Sequence, residues 1–137
     1  MLEVEAYRSD TNVALNQPAT HASTLNDKDK FAASKAVDGS TSTFSHTAVP
    51  EGCSTVEATW WEVDLDGLPI DSVTLKNRAC NNEESKRCLC RLSETVVMLL
   101  DENGDWMDGT MTGDMCEVYE WSYEYSKDSK YCKVFDG

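Results

Sequence analysis

Hydrophobic and polar residues alternate along several short segments of the chain. In segment 59–67 (TWWEVDLDG), Trp61, Val63 and Leu65 fall on one side of an extended chain and the acids on the other. Segment 70–78 (IDSVTLKNR) repeats this alternation after a shift in phase. Because successive side chains of a strand point to opposite faces, both segments predict strands whose apolar face covers a core.

Three further segments also predict strands. They are 94–110, 118–126 and 131–135. The first reads as a hairpin, with Asn103-Gly104 as the turn dipeptide. The second alternates aromatic and polar residues, so that Tyr119, Trp121, Tyr123 and Tyr125 share one face. Many short strands at this chain length predict a β-sandwich or a barrel.

One segment, 30–39 (KFAASKAVDG), has the pattern of a short helix or helical turn. It ends at Gly39, and glycine is the usual residue just after a helix. With 137 residues, the whole chain (1–137) is expected to form a single domain with a sizeable core.

The chain is strongly acidic, with a formal net charge of −13. This charge argues against nucleic acid and against an anionic membrane as partners, because both attract basic surfaces. No apolar run approaches the roughly 18 residues of a membrane span, so direct insertion into a membrane is not expected. Four of the 12 basic residues fall in the segment 77–92, namely Arg78, Lys86, Arg87 and Arg91.

Six cysteines at this length indicate disulfides, and therefore an extracellular, secreted location or the lumen of an oxidising compartment. They are Cys53, Cys80, Cys88, Cys90, Cys116 and Cys132. Zinc is the alternative, but the spacing lacks the usual two-residue gap between ligands. Cys88 and Cys90 lie too close in sequence to pair readily with each other, so we expect different partners, with Cys80 a candidate for one of them.

Four blocks occur in register along the chain: NVALNQPAT (12–20), ASKAVDGSTST (33–43), WWEVDLDG (60–67) and IDSVTLKNR (70–78). Together they resemble the F-type lectins, or fucolectins, within the discoidin and coagulation-factor C-domain superfamily. The resemblance is clearest over 12–92. It implies an all-β fold, a jelly-roll-like sandwich of about eight strands whose binding loops cluster at one end.

The resemblance implies a site for a fucose-type glycan. His46, Arg78 and Arg91 match the family's histidine and two arginines, which donate hydrogen bonds to the sugar. The loop departs from the family pattern, because Cys80 replaces the aspartate that follows the first arginine and the second arginine comes later in the chain. The alternative is therefore a structural subunit of a larger assembly, which keeps the sandwich, has lost the sugar site and binds a protein partner.

The resemblance also implies a structural calcium ion near Asp38. Its carboxylate would bind the ion together with oxygens of Lys35, Ser40 and Thr43, as suits a cation that accepts several oxygens in loose geometry. In the last predicted strand, Lys133 stands where the family has a glutamate ligand, which would weaken the site.

A disulfide from the histidine loop to the last strand is implied as well, and would join Cys53 to Cys132 or Cys116. By contrast, His21 and His46 lie outside any nucleophile motif, and the chain has no phosphate-binding loop or metalloprotease helix. The sequence therefore predicts a binding module that is not an enzyme.

Overall fold

The computed structural model describes residues 1–48, 59–78, 80 and 88–125, together with the backbone of 134–136. Within these residues the chain forms antiparallel strands and short 3-10 helices. The strands are β1 (Glu3–Arg8), β2 (Thr11–Asn12), β3 (Ala19–His21), β4 (Trp61–Val63), β5 (Ser72–Lys76), β6 (Val96–Leu100), β7 (Trp106–Met111), β8 (Glu120–Glu124) and β9 (Val134–Asp136).

The strands form two sheets. One has the order β2-β1-β5-β8 and the other the order β3-β4-β9-β6-β7. The pairings within both sheets are antiparallel. This arrangement confirms the predicted all-β sandwich.

The core follows the alternation that the sequence predicted. Trp61, Val63 and Leu65 are all buried, and so are Val73 and Leu75 of β5. The indole N–H of Trp61 donates a hydrogen bond to the carbonyl of Ala33, 3.0 Å away. A buried tryptophan needs such an acceptor, and this one ties β4 to the loop that precedes it in the chain.

Strand β1 is a part of the fold that the sequence analysis did not predict. It lies between β2 and β5, with Val4 and Ala6 buried in the core. Glu3 is also buried, with 2% of its surface exposed, whereas Glu5 pairs with Lys76 at 2.8 Å. The two glutamates made the segment look like a polar terminus, although its apolar residues recur with the strand period.

The predicted helical segment consists of 3-10 turns. These are Asp29–Phe31 and Ala33–Ala36, preceded by Leu25–Asp27. Gly39, at the predicted end of the segment, has a φ of 75°, which glycine adopts without steric cost. A further 3-10 turn, Cys90–Leu92, precedes β6.

Two disulfides join described cysteines, Cys80 to Cys88 and Cys90 to Cys116. They confirm that Cys88 and Cys90 have different partners and that Cys80 is one of them. The suggested pairing of Cys116 with Cys53 was wrong, because the turn before β8 places Cys116 beside the 3-10 turn that begins at Cys90. The other suggested pairing, with Cys132, lies outside the described residues.

The aromatic residues of β8 cover the core, as predicted. Trp121 and Tyr123 pack on it with their rings nearly parallel and their centroids 6.3 Å apart, and Tyr125 is buried. Tyr119 precedes the strand and differs, since 60% of its surface is exposed. In the part of the chain that is described, no helix has the length and apolar character needed to cross a membrane.

Candidate functional site

Asn77 follows β5 directly, and its side chain holds the backbone of the next residue, Arg78, in place. Its side chain is buried, and its amide nitrogen donates to the carbonyls of Leu89 at 2.8 Å and Val118 at 3.0 Å. Its amide oxygen accepts the backbone N–H of Arg78 at 2.9 Å. One buried amide therefore joins three loop segments that are distant in sequence.

Arg91 reaches the same place from another loop. It lies in the 3-10 turn Cys90–Leu92, and the disulfide from Cys90 to Cys116 ties this turn to the segment before β8. Its Nη1 atom lies 3.2 Å from Nε2 of His46. The predicted histidine and second arginine are thus in contact.

His46 has a defined tautomer in this contact. Its Nδ1 lies 2.6 Å from the carbonyl oxygen of Thr47, which can only accept a hydrogen bond, so Nδ1 carries the hydrogen. Nε2 is then the free acceptor for the N–H of Arg91. Burial lowers the pKa of His46 below its usual value; the Thr47 carbonyl opposes this shift and the charges of Arg91 and Arg78 add to it.

Arg78 makes a cation–π contact with an aromatic side chain. Its guanidinium carbon is 3.7 Å from the centroid of the Phe44 ring. Phe44 packs in turn on Phe31, with ring centroids 5.2 Å apart, and Phe31 lies 5.9 Å from the His46 ring. This cation–π contact helps to hold the guanidinium in place without using any of its N–H donors.

The positive charges of Arg78 and Arg91 also interact with each other. Burial lowers the pKa of Arg78, and the charge of Arg91 lowers it further. The structure therefore brings His46, Arg78 and Arg91 together in one cluster. Phe44 completes the cluster and was missed by the sequence analysis; its place two residues before His46 was the available signal.

The predicted metal loop forms a compact turn around Asp38. The Asp38 carboxylate accepts the N–H of Ser40 at 3.0 Å and the hydroxyl of Thr43 at 2.7 Å. Lys35 lies in the preceding 3-10 turn. The four predicted ligand residues are therefore in one loop, with a carboxylate and a hydroxyl side by side.

Glu3 adds a second carboxylate that the sequence analysis missed. Its Oε1 accepts the N–H of Gly39 at 2.9 Å, while its Oε2 is buried and has no hydrogen-bond partner among the described residues. Burial raises its pKa to about 7; the Gly39 N–H opposes this shift and the charges of Asp38 and Glu5 add to it. A buried, unpartnered carboxylate oxygen near Asp38 fits a cation that binds oxygen atoms.

The residues around Asp38 could surround a cation with a loose shell of oxygen atoms, but they do not form a site rich in charged ligands. Within the described residues, no group of three or more histidine, cysteine, aspartate or glutamate side chains is placed to hold a metal. Lys133, expected at a ligand position, lies outside those residues. Glu3 of β1 is a carboxylate in this loop region, whereas the resemblance implied one from the last strand.

The chain matches no protein-family model and no curated protein sequence. It is similar to several solved structures. The lectin domain of lectinolysin, solved with Lewis B antigen, is 25% identical, with a TM-score of 0.71 over 94% of this chain and 85% of its own. A fucose binding module of Streptococcus pneumoniae is 23% identical, with a TM-score of 0.67 over 95% and 85% of the two chains.

A third similar structure binds a different polymer. Chitosan-binding module 1, derived from a chitosanase/glucanase of Paenibacillus sp. IK-5, is 23% identical, with a TM-score of 0.56 over 92% of this chain and 86% of its own. All three are carbohydrate-binding modules and not catalytic domains. The chain therefore has the sandwich fold of the fucose-binding lectin modules, as its resemblance to the F-type lectins implied.

Proposed function

We propose that this protein is a non-catalytic carbohydrate-binding module for a fucose-type glycan, bound by Arg78 and Arg91 with His46 beside them. The observation that carries the proposal is the contact between Arg91 and His46, 3.2 Å across a separation of 45 residues. Loops so distant in sequence converge on one point, and Arg78 lies next to it on Phe44.

The two guanidinium groups supply the recognition. Each carries several N–H donors in a fixed plane, a geometry that suits the oxygens of a rigid sugar ring. His46 accepts from Arg91, so its role in this arrangement is to hold that guanidinium in place. Because Asn77, Phe44 and the disulfide of Cys90 fix the donors in advance, little ordering cost remains for binding.

The comparisons support the class of ligand. The lectinolysin domain was solved with Lewis B antigen, and the pneumococcal module is described as fucose binding. The chitosan-binding module shows that the same fold serves another sugar. For the fucose-type preference in this chain, the support is the match of His46, Arg78 and Arg91 to the family's residues.

A glycan array followed by calorimetry tests the proposal. We expect fucosylated glycans to bind, and we expect Arg78→Gln to weaken binding by about tenfold or more, as loss of a charged hydrogen bond does. Arg8→Gln is the matched control, because Arg8 is exposed at the end of β1 remote from Lys76 and Arg78. Absence of glycan binding, or equal binding by the Arg78→Gln protein, would contradict the proposal.

We also propose that a calcium ion stabilises the loop of Lys35, Asp38, Ser40 and Thr43. Asp38 and Glu3 would supply carboxylate oxygens, with loop oxygens completing the shell. Calcium should then raise the melting temperature of the wild type more than magnesium does, and Glu3→Gln should reduce the rise. An equal effect of both ions, or none, would contradict this role.

The second candidate is a subunit of a larger assembly. Tyr119 favours it, because this tyrosine is largely exposed and its carbonyl accepts the N–H of Asn77 at 2.7 Å, next to the proposed site. A protein partner would cover Tyr119 and the two arginines. Size-exclusion chromatography from the native source discriminates between the two functions, since the module is expected to elute free and the subunit in a complex.

For the location, the two disulfides indicate an oxidising, extracellular environment. We propose that the protein is secreted or resides in the lumen of an oxidising compartment. Labelling of free thiols in freshly isolated protein tests this proposal, because reduced Cys90 and Cys116 would contradict it.

A further inference from the structure

The proposed site has the opposite charge to the rest of the molecule. The chain has 25 acidic and 12 basic side chains. Even so, Arg78 and Arg91 have no carboxylate within ion-pair distance among the residues that the structure describes. By contrast, Nζ of Lys76 forms an ion pair with Oε1 of Glu5, at 2.8 Å. Among the described residues, these two neighbouring arginines therefore form a local positive field.

The site is also rich in donors and poor in acceptors. Within the described part of the chain, the guanidinium of Arg78 contacts the Phe44 ring and makes no hydrogen bond, and that of Arg91 bonds to His46 alone. Both ring nitrogens of His46 are engaged, Nδ1 by Thr47 and Nε2 by Arg91. The cluster thus offers many N–H groups and no free acceptor on the histidine.

This balance discriminates between two kinds of sugar. Each hydroxyl of a neutral sugar is both a hydrogen-bond donor and an acceptor. At this cluster the sugar O–H groups would find no acceptor on His46 and would have to donate to water. The oxygens of a sulfate ester or a carboxylate only accept, and their negative charge stabilises two guanidiniums held close together. A planar guanidinium can also bind such a group through two parallel hydrogen bonds.

We infer that the preferred ligand of this site is an anionic glycan, in which a sulfate ester or a carboxylate on the fucose-type sugar, or on its neighbour, is bound by Arg78 and Arg91. The inference rests on the proposed function and deepens it. The net charge of −13 disfavours a polyanion at the protein surface as a whole, so a pair of arginines is needed to attract one.

Calorimetry with matched glycans tests the inference. The three ligands are one fucosylated oligosaccharide, its sulfated form and its sialylated form, each at about 20 mM and about 200 mM salt. We expect at least one anionic form to bind about tenfold more tightly than the neutral form, by an amount that shrinks at high salt. Comparison of the sulfated with the sialylated oligosaccharide shows whether the site recognises a sulfate ester or a carboxylate.

Variants assign the effect to the arginines. Arg78→Gln should abolish the preference for the anionic form, Arg78→Lys should retain part of it, and Arg8→Gln should leave it unchanged. The lysine variant keeps the charge, so it remains informative if the glutamine variant folds poorly. An unchanged preference in a folded Arg78→Gln protein would contradict the inference.

The outcomes also separate this inference from the proposed function. Equal affinity for neutral and anionic fucosides overturns the inference and leaves the proposed function standing. A sulfated or sialylated glycan without fucose is a fourth ligand; its binding, if lost in Arg78→Gln, supports recognition of the anionic group by the arginines and contradicts the fucose-type function. If no glycan of either kind binds, both are overturned.

Discussion

Nη1 of Arg91 lies 3.2 Å from Nε2 of His46, across 45 residues of sequence. The contact requires a neutral histidine, since only an unprotonated Nε2 can accept from a guanidinium. The Thr47 carbonyl selects this tautomer by accepting a hydrogen bond from the Nδ1–H group. The geometry of the proposed site therefore depends on the protonation state of one ring.

The first prediction concerns the titration of His46. Nuclear magnetic resonance of the imidazole nitrogens should show the Nδ1–H tautomer at pH 7 and a pKa below the usual 6.5, because burial and the nearby arginines disfavour the charged ring. Arg91→Gln should raise the pKa of His46. The control is His21, whose pKa is lowered by burial alone and should not respond. A fall or no change in the pKa of His46 would contradict the proposed electrostatics.

The second prediction concerns the buried amide of Asn77. Asn77→Ala would leave the carbonyls of Leu89 and Val118 without their donor, which should lower the free energy of unfolding by about 2–3 kcal/mol. It should also weaken glycan binding, because the backbone of Arg78 loses its anchor. Chemical denaturation measures the first effect. Asn103→Ala, in the exposed hairpin turn, should change stability by less than about 0.5 kcal/mol.

The third prediction concerns pH and Glu3. Its folded pKa, about 7, lies above the unfolded value of 4.5, so the folded state holds the proton more tightly. The stability that results is fully present below about pH 4.5 and is lost as the pH rises through 7, at about 1.4 kcal/mol per pH unit within that window. Without calcium, Glu3→Gln should abolish this decline.

Glu5 is the matched control for Glu3 in the same strand. Burial raises its pKa, but the hydrogen bonds from Lys76 and Tyr7 outweigh burial and leave its pKa lowered. Its contribution to stability is therefore present at neutral pH and lost on acidification, so Glu5→Gln should destabilise the protein at pH 7. Melting curves across pH that showed the same sign for both variants would contradict the assignment.

The fourth prediction compares the two disulfides. Removing Cys90–Cys116 by serine substitution opens a loop with a sequence separation of 26, whereas removing Cys80–Cys88 opens one of 8. In the chain-entropy account, the longer loop should cost about 1 kcal/mol more stability than the shorter one. Because Cys90 also holds the turn of Arg91, its loss should reduce glycan affinity as well. Similar stability and full affinity without Cys90–Cys116 would contradict this role.

Alternation of apolar and polar residues predicted β4, β5 and β8, and the turn dipeptide Asn103-Gly104 with its flanking apolar residues predicted the hairpin of β6 and β7. The alternation did not reveal that Glu3 of β1 is buried, since the N–H group that bonds to its carboxylate belongs to Gly39, which lies far away in sequence. His46, Arg78 and Arg91 were found through resemblance. Their convergence could not be predicted, because long-range constraints such as the Cys90–Cys116 disulfide produce it.

The aromatic support of Arg78 shows the same limit. Phe44 reads in the sequence as an ordinary apolar residue of a loop. Only the folded chain places its ring 3.7 Å from the guanidinium carbon. Residues that position a binding group are harder to predict than the group itself, because their role is defined by a tertiary contact and not by their chemistry alone.

The most direct test of the central claim is a titration of the isotopically labelled protein with a fucosylated glycan, followed by nuclear magnetic resonance. The proposed function predicts that the side-chain signals of His46, Arg78 and Arg91 shift together with one affinity, while that of Arg8 stays in place. Unchanged signals at all three site residues, or shifts confined to another surface such as that of Trp106, would contradict it.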